Sequence, residues 1–392
     1  MKSSILTLLI SISLNGLLNG ATITVAPGEN LQTAFNSANS NDHVKILPGT
    51  FTGQYQIVDK NLTISKSGGT PNLTKLTLDG GTVTLIGLQI GQIVSSDSSE
   101  QNGNHLVHQC EVGNIESNTS SIIVQYSDVG NMIIYKKATV TACTFDGAGG
   151  GGVGIKVSGA GADAKVQNSV IRNYSLSTAY PITDSCIGVL VSNGATANIQ
   201  NNIIHSCNDR NYDGTEVDSG IGISVRNGAS AKISANIIWD CFISYRFGQS
   251  GNSTGDAIVH LSATTLGSHN LLWSKVDSSP PKMNNNIWNI NNLTRGNGSL
   301  TNSIISDPKF VDWENGDYRL QPTSPAINAG PPDPQYNDRD GSRNDIGMFG
   351  GHNFIPNGRT TNKPIVLSLD VAPIAVPTGG TVTIESTGAT VK

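Results

Sequence analysis

The sequence predicts an all-β solenoid, and three observations carry that prediction. First, one pattern returns at a fixed spacing: AKVQNSVIRNY from Ala164, ANIQNNIIHSC from Ala197, AKISANIIWDC from Ala231 and a degraded copy, TLGSHNLLWSK, from Thr265. Asn202, Asn236 and Asn270 lie 34 apart, with Ser169 33 before Asn202. Second, another motif keeps step with it: VGIKV from Val153, IGVLV from Ile187, IGISV from Ile221. A repeat of this length cannot bury its own apolar face and must stack on its neighbours. Third, the chain holds 44 Gly, and only 5% of its residues are aromatic. Gly and Asn among β-branched residues suit short strands joined by turns.

Each repeat divides into three strands. In the middle copy, Ile221, Ile223 and Val225 alternate with Gly222, Ser224 and Arg226, a period of two with its apolar side inward. Asn227-Gly228-Ala229 is a turn. Lys232 to Ser234 forms the second strand, Asn236 follows, and Ile237-Ile238 starts the third. The Asn column between the second and third strands is expected to take a left-handed backbone, which Asn tolerates best after Gly. Stacked amides can also hydrogen-bond along such a column.

The remaining chain follows in order. Lys2, the apolar run ILTLLISISLNGLL and the small residues Gly20 and Ala21 read as a signal peptide over residues 1–21. The mature protein is then exported, to the medium or the cell surface, with no membrane span and as a monomer. Thr22 to Val25 is a strand. Leu31, Ala34, Phe35 and Ala38 recur at helical spacing, and a short helix ending near Asn39 is expected to cover the first open end of the stack. His43 to Leu47 is a strand.

The run LQTAF, NDHVKILPGTF, NLTIS resembles the opening of right-handed parallel β-helix proteins of the pectate-lyase-like type. The Asn column resembles the Asn ladder of that fold. The resemblance implies a right-handed parallel β-helix over residues 22–351, with a capping helix at its N-terminus and a cap at its C-terminus. Residues 307–351 carry DPKF, GDYRL, SPAINAG and DRDGSRNDIG. They resemble the tail of many secreted bacterial β-helix proteins and are expected to cover the second open end. Between Gln56 and Gly147 the apolar runs are shorter. VGNI at Val112 and VGNM at Val129 are 17 apart, so the coils there are shorter too. Residues 352–392 read as a linker and a few strands of an appended segment.

Composition limits function. With 24 Lys plus Arg against 29 Asp plus Glu, the net charge is −5, which gives no basic face for nucleic acid. Of five cysteines, Cys207 and Cys241 share a place in successive repeats, and Tyr174 holds it one repeat earlier. They read as an inward column, with a bridge between adjacent coils as the alternative. No Cys or His spacing matches zinc. The acids Asp338, Asp340 and Asp345 fail the EF-hand pattern and read as turn-makers. His105, His108 and His205 read as structural.

In the pectate-lyase-like family, activity lies on the outward face of the first strand. Alternation places Gly154 and Lys156, Gly188 and Leu190, Gly222 and Ser224, then Ile258 and His260 on that face. None is a carboxylate, which counts against a hydrolase needing an acid and a base there. A lyase on an acidic polysaccharide would draw on Lys156, Arg226 and His260, with Asp209, Asp213, Glu216 and Asp218 as calcium ligands. Long polar loops leave each third strand and are expected to form a wall beside that face. On it, Asp209, Arg210, Tyr212, Asp213, Glu216, Asp218, Tyr245 and Arg246 are the candidate ligand-binding residues, and Tyr174, Tyr180 and Phe247 add aromatic surface. The reading is an exported protein that binds a carbohydrate or serves as extracellular structure. The alternative is a polysaccharide lyase.

Overall fold

The computed structural model describes residues 20–96, 103–175, 185–212, 219–245, 256–260, 265–273, 298–338, 340–353, 365–372 and 383–389. The signal-peptide reading therefore falls almost entirely outside the described residues. Among those described, twelve strands form one parallel sheet and fifteen form another. The chain alternates between the two sheets, returning to each one strand further on, and so winds a right-handed parallel β-helix.

The twelve-stranded sheet holds the second strand of every coil, from Thr22–Val25 through Asp163–Gln167, Thr196–Gln200 and Ser230–Ser234 to Ser299–Thr301. The other sheet explains why coil length changes. In the early coils the third and first strands are one continuous strand. Glu111–Ser117 pairs in register with Asp128–Ile134, Val112 on Val129, which confirms the 17-residue coil. The next coil splits that strand. Asp128 pairs with Thr144, while Met132 pairs with Ile155. From there, third strands (Thr144–Asp146, Val170–Arg172, Ile203–His205, Ile237–Trp239, Leu271–Trp273) and first strands (Val153–Ser158, Ser185–Ser192, Ser219–Val225, Asp256–His260) diverge, and the long loops are inserted at the fork.

Columns of identical apolar type fill the core. Val124, Val140, Val166, Ile199 and Ile233 stack in register, all 0% exposed. Ile155, Val189 and Ile223 do the same on the first strand. Each such side chain contributes about 1.5–3 kcal/mol by leaving water.

The Asn column does its work differently from expectation. The left-handed residues are those just before it: Gln109, Tyr126, Ala142, Asn168, Asn201, Ala235, His269 and Asn302, with φ from 50° to 55°. Ala235 and His269 show that the corner does not demand Asn. Asn202, Asn236 and Asn270 instead act through their side chains. Asn236 Oδ1 accepts from the amide N–H and the side-chain Nδ2 of Asn202, both at 3.0 Å, and Asn270 Oδ1 serves Asn236 likewise. Ser303 Oγ ends the ladder at Asn270, and Ser169 continues it to Cys143. The ladder thus satisfies corner N–H groups that no strand reaches.

The N-terminal helix is as read, Leu31–Ser37, with Leu31 and Phe35 buried and Asn30 capping Thr33 N–H. Gln32 covers the sheet edge by exchanging two 2.8 Å bonds with the backbone of Gln56. Lys60 Nζ donates to the last helix carbonyls, Phe35, Asn36 and Ala38, at 2.7–2.8 Å.

The C-terminal segment packs on the solenoid, but along its flank. Asn168 Nδ2 donates to the carbonyls of Met348 and Gly350, and Asn201 Nδ2 to Asn344 Oδ1 and to the carbonyls of Asp345 and Gly347. Gly347 N–H donates to Ala235 O. Phe310, Tyr318, Ala326 and Ile346 bury against Val170, Ile203, Ile237 and Leu271, the outer residues of four successive third strands. Asp340 accepts from Ser342 N–H and makes a turn, whereas Asp338, accepting from Asp345 and Gly351, and Asp345, accepting from Asn328, tie together separate stretches of the segment. Beyond this segment, Ile365–Ala372 and Thr383–Ala389 form an antiparallel hairpin.

Candidate functional site

The first-strand face differs from its sequence reading in three ways. Gly154 and Gly188 face inward, towards Ile171 and Tyr174 and towards Ile204 and Cys207. A Cβ on Gly188 would lie 2.6 Å from both Gly222 O and Ile204 Cγ2, so only Gly fits between the first and third strands. Leu190 and Ser224, on the other side, are fully buried. Asn208–Tyr212 and Phe242–Tyr245 pair as a small parallel sheet and pack against Ser185–Ser192 and Ser219–Val225. Finally, His260 is in register with Val225, and Val259 with Ser224, so a one-residue slip separates His260 from the position assigned to it.

Lys156 stays half-buried at the fork and stacks on Leu190, then Ser224. Arg226 is 8% exposed, and burial pushes its guanidinium pKa down. The strands of Lys156 and Arg226 are two steps apart, about 10 Å, so the proposed lyase residues do not converge. Of the ligand-binding set, Asp209, Arg210 and Tyr212 lie on one wall strand and Tyr245 on the other, with Tyr212 in register with Tyr245. Tyr180, Asp213, Glu216, Asp218, Arg246 and Phe247 lie outside the described residues. Tyr174 belongs to the core, 2% exposed, its hydroxyl donating to Gly130 O. Among the described residues no cluster of three His, Cys, Asp or Glu could hold a metal ion.

A different surface gathers chemistry. The outermost residues of the third strands form one column in register: Asp146, Arg172, His205, Trp239, Trp273. The C-terminal segment crosses its middle. Arg172 Nε donates to Asp146 at 2.9 Å, and its Nη1 to the Tyr318 hydroxyl at 2.9 Å. That leaves the hydroxyl hydrogen for His205 Nε2, 2.8 Å away, and makes His205 a neutral acceptor. Burial, with help from Arg172, pushes the His205 pKa down to about 3. Burial would raise Asp146, but the N–H of Ala148, the Asn173 amide and Arg172 outweigh it and hold the carboxyl below its ordinary range. Trp239 stacks on His205 at 4.8 Å and meets Trp313 edge-on at 4.5 Å.

Two clefts remain, one at each end of the crossing. At the Asp146 end, a groove of about 550 Å³ is lined by Glu111, Asp128, Thr144, Asp146 and Arg172. Glu111 and Asp128 are exposed and directly paired. At the other end, a cleft of about 610 Å³ has Trp239 as its floor and half-buried Trp273 and Trp313 as walls, with Asp307, Lys309, Gln321 and Thr323 at its rim. Sequence reasoning passed over both. The signals were present: the aligned Arg172, His205, Trp239 and Trp273 in the repeat, and the acid before each VGN, Glu111 and Asp128.

No protein-family model matches this chain, and no curated protein matches it in sequence. Among solved structures, it is similar to that titled "Crystal structure of pectate lyase Pel9A", with a TM-score of 0.47 and 12% identity over 86% of this chain and 98% of that one. The strand pairing itself establishes the right-handed parallel β-helix.

Proposed function

We propose that this is an exported β-helix protein that binds a polysaccharide without cleaving it, and that the tryptophan cleft is where it binds. The observation that carries this reading is the convergence of Trp239, Trp273 and Trp313 on one cleft with an amide, a hydroxyl, an ammonium and a carboxylate at its rim. Pyranose rings present apolar C–H faces that pack on indole, and their hydroxyls need the polar rim. Trp239 is buried and closes the floor, so the half-buried Trp273 and Trp313 offer the indole surface. The cleft therefore takes one ring face, and a chain bound there extends outward from it.

The test is titration calorimetry against a panel of neutral and acidic polysaccharides, with Trp273→Ala alongside. Binding of at least one member is expected, weakened about 10-fold or more by the loss of the indole face, worth about 1–2 kcal/mol. Binding unchanged in the variant would overturn the assignment of the cleft, and no binding across the panel would overturn the function for those glycans. Lyase activity has weaker support, because Lys156 and Arg226 stand apart and Leu190 and Ser224 between them are buried. The same panel, with and without calcium, is expected to give no rise in the absorbance of unsaturated products.

A further inference from the structure

We propose that Cys207 and Cys241 are joined as a disulfide between adjacent coils when the chain folds in an oxidising compartment, pinning the base of the loop wall. The pair is in register from both sides. Below it His205 pairs with Trp239, and above it Asn208 pairs with Phe242. Their Cα atoms therefore sit one strand spacing apart, about 4.8 Å, inside the range that a disulfide spans. Cys207 is 0% and Cys241 3% exposed, and both are free thiols in this structure, each donating to the carbonyl two residues back, His205 and Trp239. Cys110 and Cys143 offer no such pair. Their ladder runs through Ser127, so a whole coil separates them.

The position gives the bond a role. Each cysteine immediately precedes a wall strand, Cys207 before Asn208–Tyr212 and Cys241 before Phe242–Tyr245. The wall is an insertion, held by its own two-stranded pairing and by contact with the first strands. A covalent link at its root would fix the register of both wall strands.

The chemistry is thiol–disulfide exchange. One cysteine thiolate attacks an external disulfide, either oxidised glutathione or that of a dithiol oxidase, and releases one thiol. The second thiolate then attacks the mixed disulfide and releases the other. Two protons and two electrons pass from the cysteines to the oxidant. Timing follows from burial. In the folded chain neither sulfur is reachable, and burial raises the Cys207 pKa well above its ordinary value. A buried protonated thiol is inert, so the bond forms before the two coils close or not at all.

The experiment refolds denatured, reduced protein in a glutathione redox buffer, alkylates free thiols under denaturing conditions, and maps peptides by mass spectrometry. A cross-linked peptide pair containing Cys207 and Cys241 is expected, with the intact mass lower by two hydrogen atoms. Native reduced protein held in the same buffer should keep both thiols. The oxidised form should unfold at higher denaturant than the reduced form, and Cys241→Ser should abolish the difference. Full alkylation of both cysteines after oxidative refolding overturns the proposal, as does a link through Cys186, which lies close enough to Cys207 to raise its pKa. If refolding yields no native protein, the same mapping is done on chain exported into an oxidising compartment, with the same two overturning results.

Discussion

At the scale of single residues, the ladder amides and the buried histidines bear the largest consequences. Asn236 is 0% exposed, and its side chain serves three carbonyl or amide acceptors and two donors on Asn202. Asn236→Ala leaves the Asn202 N–H buried without its partner and takes one of two donors from the Ile199 carbonyl. An orphaned buried donor costs about 1–3 kcal/mol, so a loss of about 1–3 kcal/mol is expected, read from denaturant midpoints at constant slope. Ala at the preceding corner is already tolerated, as Ala235 shows, so backbone strain is not the cause. His205 makes stability depend on pH. Its folded pKa, about 3, lies below its ordinary 6.5. The unfolded chain therefore binds the proton first as pH falls, and stability is full above about 6.5 and declines down to about 3. The slope from this residue is about 1.4 kcal/mol per pH unit. His108, pushed by burial to about 4, adds to the same trend. His205→Gln cannot titrate, and the slope of stability between pH 6 and pH 4 should be shallower in the variant. An unchanged slope would mean that His205 is not the group responsible.

At the scale of elements, the 34-residue coils were legible because long loops punctuate them and apolar runs repeat between. Before them only the VGNI–VGNM pair showed its 17-residue spacing, because third and first strands run together there without a turn to mark the register of the other coils. The acids Glu111 and Asp128 precede that pair and were passed over although their register was in view. The first-strand face was misread for a local reason: Gly154 and Gly188 face core side chains of the third strand and its exit, which simple alternation does not anticipate. The seat of the C-terminal segment left no sequence pattern, since it is fixed by Asn168 and Asn201 reaching residues more than 140 positions away. Those two Asn residues do double duty as left-handed corners and as clamps. Asn201→Gly separates the roles, because Gly keeps the corner and removes the amide. It is expected to leave the coil folded while amides from Asn344 to Gly351 exchange faster, seen by hydrogen-exchange mass spectrometry. Tyr318→Phe should loosen the neighbouring hairpin, Phe310–Asp312 with Asp317–Leu320, by about 1–2 kcal/mol through loss of the bonds to Arg172 and His205.

At the scale of the whole molecule, a solenoid is quasi-one-dimensional, each coil held by its neighbours, so local and global stability separate. This chain breaks that rule over part of its length. The C-terminal segment ties the coil of Asn168 to those of Asn201 and Ala235 and, through Tyr318, to Arg172 and His205. Coils bound by one strap cannot open singly. The early coils have no such strap among the described residues, and only the N-terminal helix, Gln32 and Lys60 guard their end. Two substitutions of the same kind should therefore behave differently. Ile64→Ala and Ile199→Ala each remove a fully buried side chain at an equivalent second-strand position, at about 2–5 kcal/mol each. Ile64→Ala should lower protection only in strands near the N-terminus, leaving the main unfolding midpoint in place. Ile199→Ala should lower the midpoint of the strapped region as a unit, with residues 163–240 and the segment 310–351 losing protection together. Hydrogen exchange at rising denaturant distinguishes the cases. If both variants shifted one common transition, the strap would not define a separate cooperative unit, and the stack would be unfolding as a single body.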